Sequence, residues 1–412
     1  MNSQPDPYPD VPPPASDSWI SAPITPELVR GARELERTDQ GLLPHRLPAS
    51  ARAQCEDQQL AMVEAQSSGV RLALLTSATA IELDTLRTTM AFQGSPGRPD
   101  GVYDLLVDGE LVGQQTGNAG NVIKIDPVTG TRRTERGPAG TVRFDGLPAR
   151  TKTIEIWLPY DEITELVALR ADAPVQPAPR SDRPVWLHHG SSISHGSNAA
   201  SSTTTWPALA AATGNVELVN LGLGGSALLD PFTARAIRDA PADLISLKIG
   251  INLVNADLIR MRGFGPAVHG FLDTIRDGHP DAPLLVVSPI YCPIHEDTPG
   301  PGAVDPEAMR TGTVRFVATG NPADRAEGKL TLGTIRQELS RIVTQRAAED
   351  PRLHYLDGLR LYGPSDYAEL PLPDELHPDA ATHRRMAERF ATFAFIADGP
   401  FTTRPAQRPS SR

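Results

Sequence analysis

Four short clusters in the second half of the chain hold residue types suited to attack on an ester carbonyl. They are Gly190-Ser-Ser-Ile-Ser-His-Gly196, Asn220-Leu-Gly-Leu-Gly-Gly-Ser226, Gly250-Ile-Asn252 and Asp374-Glu-Leu-His-Pro378. A serine hydroxyl is a weak nucleophile until an adjacent base takes its proton. Histidine supplies such a base, and a carboxylate can hold its tautomer and stabilise the imidazolium. Negative charge developing on the carbonyl oxygen needs several donors already in place. Backbone N–H groups at a glycine turn and an asparagine amide are donors of that kind, and glycine admits positive φ and close substrate approach.

These clusters must be held by regular elements, and the hydrophobic pattern around them alternates strand with helix. Strands are expected at 185–188, 216–219, 244–249, 284–288 and 353–356, and helices at 202–212, 232–239, 266–277, 332–348 and 380–395. Such alternation implies a parallel sheet covered on both faces. Five strands fit a flavodoxin-like three-layer α/β sandwich, in which ligands bind at the carboxyl ends of the strands. Each cluster follows an expected strand, the last one after a loop. The stretch 291–329 breaks the rhythm. It is Pro/Gly-rich, and loops longer than about 12–15 residues are usually functional or disordered.

The first part of the chain is patterned differently. After an opening helical stretch, short strands are expected at 71–77, 81–86, 102–107, 122–125, 142–144, 152–157 and 163–169. Several alternate apolar and polar residues, as in Thr151-Lys-Thr-Ile-Glu-Ile-Trp157, and turn residues such as Val107-Asp-Gly-Glu110 separate them. This punctuation suggests an antiparallel sandwich or jelly roll. The division expected is a disordered tail 1–16, a β-sandwich domain 17–173, a Pro-rich linker 174–183, an α/β domain 184–400 and a disordered tail 401–412.

Composition narrows the function classes. A chain of 412 residues has material for two or three domains. Its 39 Lys and Arg against 50 Asp and Glu leave a net charge of −11, which argues against a nucleic-acid partner. No apolar run approaches the ~20 residues of a membrane span. The opening residues show neither a basic n-region nor an apolar h-region, so a cytoplasmic protein is expected. Two cysteines, Cys55 and Cys292, cannot build a disulfide framework or a cysteine-based zinc site.

Taken in order, the four clusters resemble the blocks of the SGNH (GDSL-type) hydrolase superfamily. The resemblance covers roughly residues 184–395, and the early Trp206-Pro207 pair is also similar. It implies that Ser192 is the nucleophile, that His377 is the general base and that Asp374 is its orienting acid. It further implies an oxyanion hole from the Ser192 and Gly225 N–H groups and the Asn252 amide, with Gly222 and Gly224 competing with Gly225 for the register. Two positions depart from the family pattern. Ser191 stands where an Asp usually precedes the nucleophile, and Leu253 stands where an Asp usually follows the oxyanion Asn. The departures look like a subgroup with an extra N-terminal β-domain, a layout some carbohydrate acetylesterases share.

Blander readings exist for the same residues. Ser192 could be a turn serine, Asn252 an Asx-turn residue and Gly225 a simple turn glycine. His188, His189 and His195 invite a metal reading. No acidic partner lies among them, and adjacent residues face opposite sides of a strand. The Asn220–Gly225 run lacks the G-x-G-x-x-G spacing of a dinucleotide loop. Cys292 reads as a buried or incidental thiol. The function expected is thus a serine esterase acting on acetyl or other short acyl esters, without metal or organic cofactor. Its partner would be a small-molecule ester such as an acylated sugar or natural product. Two alternatives remain: an acyltransferase using the same serine, and a non-catalytic carbohydrate-binding protein that keeps the fold.

Overall fold

The computed structural model describes residues 19–92, 99–126, 129 and 131–402. The chain falls into two units. One comprises the described residues up to Ala49 together with Ala61–Ser181 and Ser201–Thr203; the other comprises Ser50–Leu60, Asp182–Ala200 and the described residues from Thr204 onward.

The first unit is built from two sheets, of eight and six strands. Alternation dictates their inner faces. In Lys152–Trp157, Ile154 and Ile156 are fully buried, and in Ile163–Ala171 so are Leu166 and Leu169. They join Leu72, Leu74, Ile81, Leu83, Tyr103 and Leu105 in one core fed by both sheets. Each such side chain contributes about 1.5–3 kcal/mol on burial.

Three sequence expectations need correction here. The opening is not helical but strands Ile20–Ala22, Val29–Arg30, Glu34–Arg37 and Leu42–His45, with helices only at Ala49–Arg52 and Gln58–Ala65. Elements of two to four residues are too short for a hydrophobic period to show. The expected linker carries a strand, Val175–Pro177, paired antiparallel with Arg71–Thr76. The strand expected at 81–86 continues to Phe92, and its far end pairs in parallel with Asn121–Ile125.

The second unit holds a five-stranded parallel sheet. In chain order its strands are Val185–Gly190, Glu217–Gly222, Leu244–Lys248, Leu284–Val287 and Leu353–Leu356; in space they lie second, first, third, fourth, fifth. This is the order of a flavodoxin-like doubly wound sheet, and its switch point lies beside the first strand. The third and fourth strands are buried at every position, as a sheet covered on both faces requires.

Helices Trp206–Gly214, Pro231–Arg238, Met261–Gly278, Leu332–Arg346 and Ala380–Ala394 complete the unit, within a few residues of expectation. The helix expected from 202 begins instead with a 3-10 turn, Ser202–Thr204, and turns α-helical at Trp206, with Pro207 in its first turn. Proline is tolerated there because those N–H groups have no intrahelical partner.

An aromatic cluster ties the closing helix to the sheet. Phe390 lies against Trp186 with ring centroids 5.0 Å apart, and Trp206, Phe395 and Phe401 surround the pair. Phe401 was expected in a disordered tail, yet it is buried and its N–H donates to the Ala394 carbonyl at 2.9 Å. The rest of that tail, 403–412, and the expected tail 1–16 lie outside the described residues. Phe390→Ala empties the centre of this cluster and is expected to cost about 3–5 kcal/mol. A urea midpoint unchanged from wild type would show that the cluster closes over the gap.

The stretch 291–329 is an ordered excursion rather than a bare loop. It contains a small antiparallel pair, Gly302–Val304 with Phe316–Ala318, and a helix, Pro306–Arg310, between them. Among the described residues no helix is long and apolar enough to cross a membrane.

Candidate active site

The four clusters occupy the carboxyl ends of the first three strands and a loop before the last helix. The first strand ends at Gly190, and the chain turns at once into the short helix Ser192–His195. Ser191 caps that turn. Its carbonyl accepts the Ser194 and His195 N–H groups at 3.0 and 2.9 Å, and its hydroxyl accepts from Ile193 N–H. A serine therefore does the capping where the family pattern has aspartate.

Ser192 Oγ lies 2.9 Å from His377 Nε2, and His377 Nδ1 lies 2.7 Å from Asp374 Oδ2. The other Asp374 oxygen accepts the backbone N–H groups of His377 at 2.6 Å and Leu376 at 3.0 Å. The carboxylate thus holds both the ring and the loop that carries it. This chain of bonds can lift a proton from a serine hydroxyl and stabilise the imidazolium that results. The neighbouring serines are differently placed. Ser194 is fully buried, its hydroxyl 2.8 Å from His188 Nε2, and Ser191 is 1 % exposed. Ser192 alone of the three is part-exposed.

Burial pushes the Asp374 carboxyl up. The hydrogen bonds from the His377 ring and from the two backbone N–H groups outweigh this and hold it below the ordinary carboxylate value. A depressed folded-state pKa contributes stability that is present above the unfolded value of about 3.9 and is lost as pH falls through the folded one. Asp374→Asn is therefore expected to flatten the acid limb of stability below about pH 4. Urea midpoints of both proteins across that range check it, and an unchanged slope refutes it.

The glycine cluster after the second strand shows which of its donors are free. Gly222 N–H donates to Asn220 Oδ1 at 2.8 Å, Leu223 N–H to the Gly190 carbonyl at 2.7 Å and Ser226 N–H to the Leu223 carbonyl at 3.0 Å. Ala227 N–H donates to Asn252 Oδ1 at 3.1 Å. Among the described residues no acceptor faces the N–H of Gly224 or of Gly225, and Gly225 has φ +75°. Gly222 is thereby committed elsewhere.

Asn252 lies in the short helix Ile251–Asn255, entered through Gly250 at φ +139°. A side chain at Gly250 would meet Pro289 Cγ at 2.6 Å, so this residue must be glycine on two counts. Because Oδ1 of Asn252 accepts from Ala227, its Nδ2 is turned the other way. Leu253, the second departure, is buried and holds the helix by packing.

Other residues press on the His377 loop that the sequence did not single out. Phe316, on the 291–329 excursion, sets its ring edge-on to His377 at 5.4 Å, and its N–H donates to the Asp374 carbonyl at 2.9 Å. Glu375 adopts φ +66°, and its carboxylate accepts from Tyr367 Oη at 2.7 Å. Cys292 Sγ donates to the Glu375 carbonyl, and burial pushes its thiol up to about 12, which keeps it protonated. No local pattern marks Phe316 or Tyr367, since neither lies in a motif.

The histidines beside Ser192 have structural partners: His188 bonds Ser246 and Ser194, and His189 Nδ1 lies 2.8 Å from the Leu221 carbonyl. Among the described residues no group of three or more His, Cys, Asp or Glu is arranged to hold a metal ion.

Comparison with known proteins bears on the same region. Residues 189–385 match the model of the GDSL-like lipase/acylhydrolase family. No curated protein matches the chain by sequence. Among solved structures, the salicylyl-acyltransferase SsfX3 from a tetracycline biosynthetic pathway is similar with a TM-score of 0.74 and 29% identity, over 91% of this chain and 96% of that one. A candidate GDSL-like lipase from Bacteroides ovatus gives 0.62 at 16% identity, over 90% of this chain and 95% of that one. An active-site mutant of a family two carbohydrate esterase from Clostridium thermocellum gives 0.52 at 13% identity, over 79% and 91%. The last two share the fold. Strand order and motif placement agree with the family match in marking residues 189–385 as a region similar to GDSL-like lipase/acylhydrolase domains.

Proposed function

We propose that the chain is a serine acylhydrolase that works through an acyl-enzyme on Ser192. The observation that carries this reading is the unbroken hydrogen-bond chain from Ser192 Oγ through His377 to Asp374, at 2.9 and 2.7 Å. His377 Nε2 takes the serine proton as Oγ attacks the ester carbonyl. Asp374 holds the Nδ1–H tautomer and balances the positive ring. The charge on the carbonyl oxygen is met by the Ser192 and Gly225 N–H groups and by Asn252 Nδ2. The C–O bond of the ester then breaks, and the departing alkoxide takes the proton from His377. Water, deprotonated by the same ring, releases the acid and restores the serine. No step asks for a metal or an organic cofactor.

A carboxylic ester with an acetyl or other short acyl group, such as an acylated sugar or natural product, remains the substrate class we favour. A fluorophosphonate probe, followed by p-nitrophenyl esters of graded chain length and then acetylated sugars, tests the reading. No labelling and no turnover would refute it, and would leave the non-catalytic, ligand-binding alternative.

One observation favours a second reading. The likeness to the salicylyl-acyltransferase runs over nearly the whole of both chains, so the same acyl-enzyme could be discharged to an alcohol instead of water. Product analysis with a competing alcohol separates them: a new ester at the expense of free acid marks transfer.

A further inference from the structure

We infer that Gln59 is a positioning residue for this site: its side-chain amide sets the plane of the Gly224–Gly225 peptide and hence the aim of the Gly225 N–H. The inference rests on the acyl-enzyme reading above.

Gln59 comes from a segment far upstream of the α/β sequence, yet Ser50–Leu60 belongs to the second unit. Two bonds fix that segment. Asp57 caps the helix Gln58–Ala65, its Oδ1 accepting the Leu60 N–H at 2.7 Å, which places Gln59 in the first turn. Arg235, on helix Pro231–Arg238, donates to Gln54 Oε1. From this anchored position Gln59 Nε2 donates to the Gly224 carbonyl at 3.0 Å.

A trans peptide is planar, with its C=O and N–H pointing in opposite directions. Drawing the Gly224 oxygen toward Gln59 therefore turns the Gly225 N–H to the opposite side. That matters because this peptide lies between two glycines. Neither carries a Cβ to bias its dihedrals, so the plane can flip at little steric cost. The peptides on either side are held to each other, the Ser226 N–H donating to the Leu223 carbonyl, and the peptide before them is held by Leu223 N–H donating to the Gly190 carbonyl. Between these backbone bonds, the Gly224–Gly225 plane is held by a side chain from another element. Gln59 also covers the open face of Gly225, with Cγ and Nε2 each 3.4 Å from where a Cβ would stand. An oxyanion donor stabilises charge only if it is aimed before the reaction begins.

Two substitutions test this. Gln59→Leu keeps the bulk and removes the donor; Gln59→Glu keeps the shape and sets a carboxylate against the carbonyl. Both are read on the p-nitrophenyl ester the wild type turns over best. The expected result is a kcat lower by about 10- to 100-fold with KM unchanged, as for a misplaced rather than a deleted donor. The affinity for a trifluoromethyl ketone, whose adduct carries the same oxyanion, should fall by the same factor. Urea midpoints near wild type for at least one variant separate this from unfolding. A kcat within twofold of wild type in the folded variant overturns the assignment, and so does a raised KM alone. Failure of the underlying reading looks different: the wild type itself then resists fluorophosphonate labelling, and the assignment falls with it.

Discussion

Ser192→Ala is expected to abolish fluorophosphonate labelling and to lower kcat by about 10⁵–10⁶-fold, leaving a residual about 10³–10⁴-fold over water from the remaining donors and binding contacts. The structure makes this substitution a clean test. Ser192 is part-exposed at the start of a short helix, and its hydroxyl is 2.9 Å from His377. Alanine suits that position, and the lost hydrogen bond is worth only about 1 kcal/mol, so the variant should fold as the wild type does. The two serines that could substitute for it are poorly placed. Ser194 is sealed beneath the turn against His188, and Ser191 spends its hydroxyl and carbonyl on capping. Turnover close to wild type in the alanine variant would remove Ser192 from the mechanism and, with these neighbours buried, the serine mechanism itself.

The parallel sheet was the legible part of the fold. Strands covered on both faces read as continuous apolar runs, as in Leu284–Val287, and the polar residues that follow them mark where the sheet ends. The ends themselves are less clear. Strand pairing runs on to Gly190 against Gly222, through residues whose types suggest a loop. In the first unit the longer strands with a buried face were readable, and the exposed or very short ones were not. Arg132–Glu135 is exposed at every position and Glu110–Thr116 at nearly all, so no alternation shows. The candidate site divides in the same way. Ser192, Asn252, Asp374 and His377 sit in local motifs, but Gln59 and Phe316 reach it only through long-range folding. A glutamine in a polar stretch, or a phenylalanine in a Pro/Gly-rich excursion, carries no local sign of such a partner. Composition near residue 50 likewise gives no hint that Ser50–Leu60 leaves the β-rich unit.

Asn252→Ala is expected to lower kcat by about 10²–10³-fold, roughly 3–4 kcal/mol of transition-state stabilisation, with little change in KM. The reasoning starts from the amide's two ends. Oδ1 accepts the Ala227 N–H at 3.1 Å, which fixes the amide and turns Nδ2 away from that loop, where no acceptor faces it among the described residues. Beneath it, Gly250 at φ +139° and buried Leu253 hold the helix rigid without the aspartate usual after this Asn. Such a donor meets full charge only as the tetrahedral oxyanion forms, so its loss should appear in kcat. Alanine also strands the Ala227 N–H, a cost of about 1–3 kcal/mol for a buried donor. Asn252→Asp separates the two effects. It keeps the acceptor for Ala227 but sets a carboxylate where Nδ2 was, so it should fold well and lose at least as much kcat as the alanine variant. If Asn252→Asp keeps kcat, or if either variant raises KM alone, Asn252 binds the ground state and the oxyanion is left to the backbone N–H groups of Ser192 and Gly225.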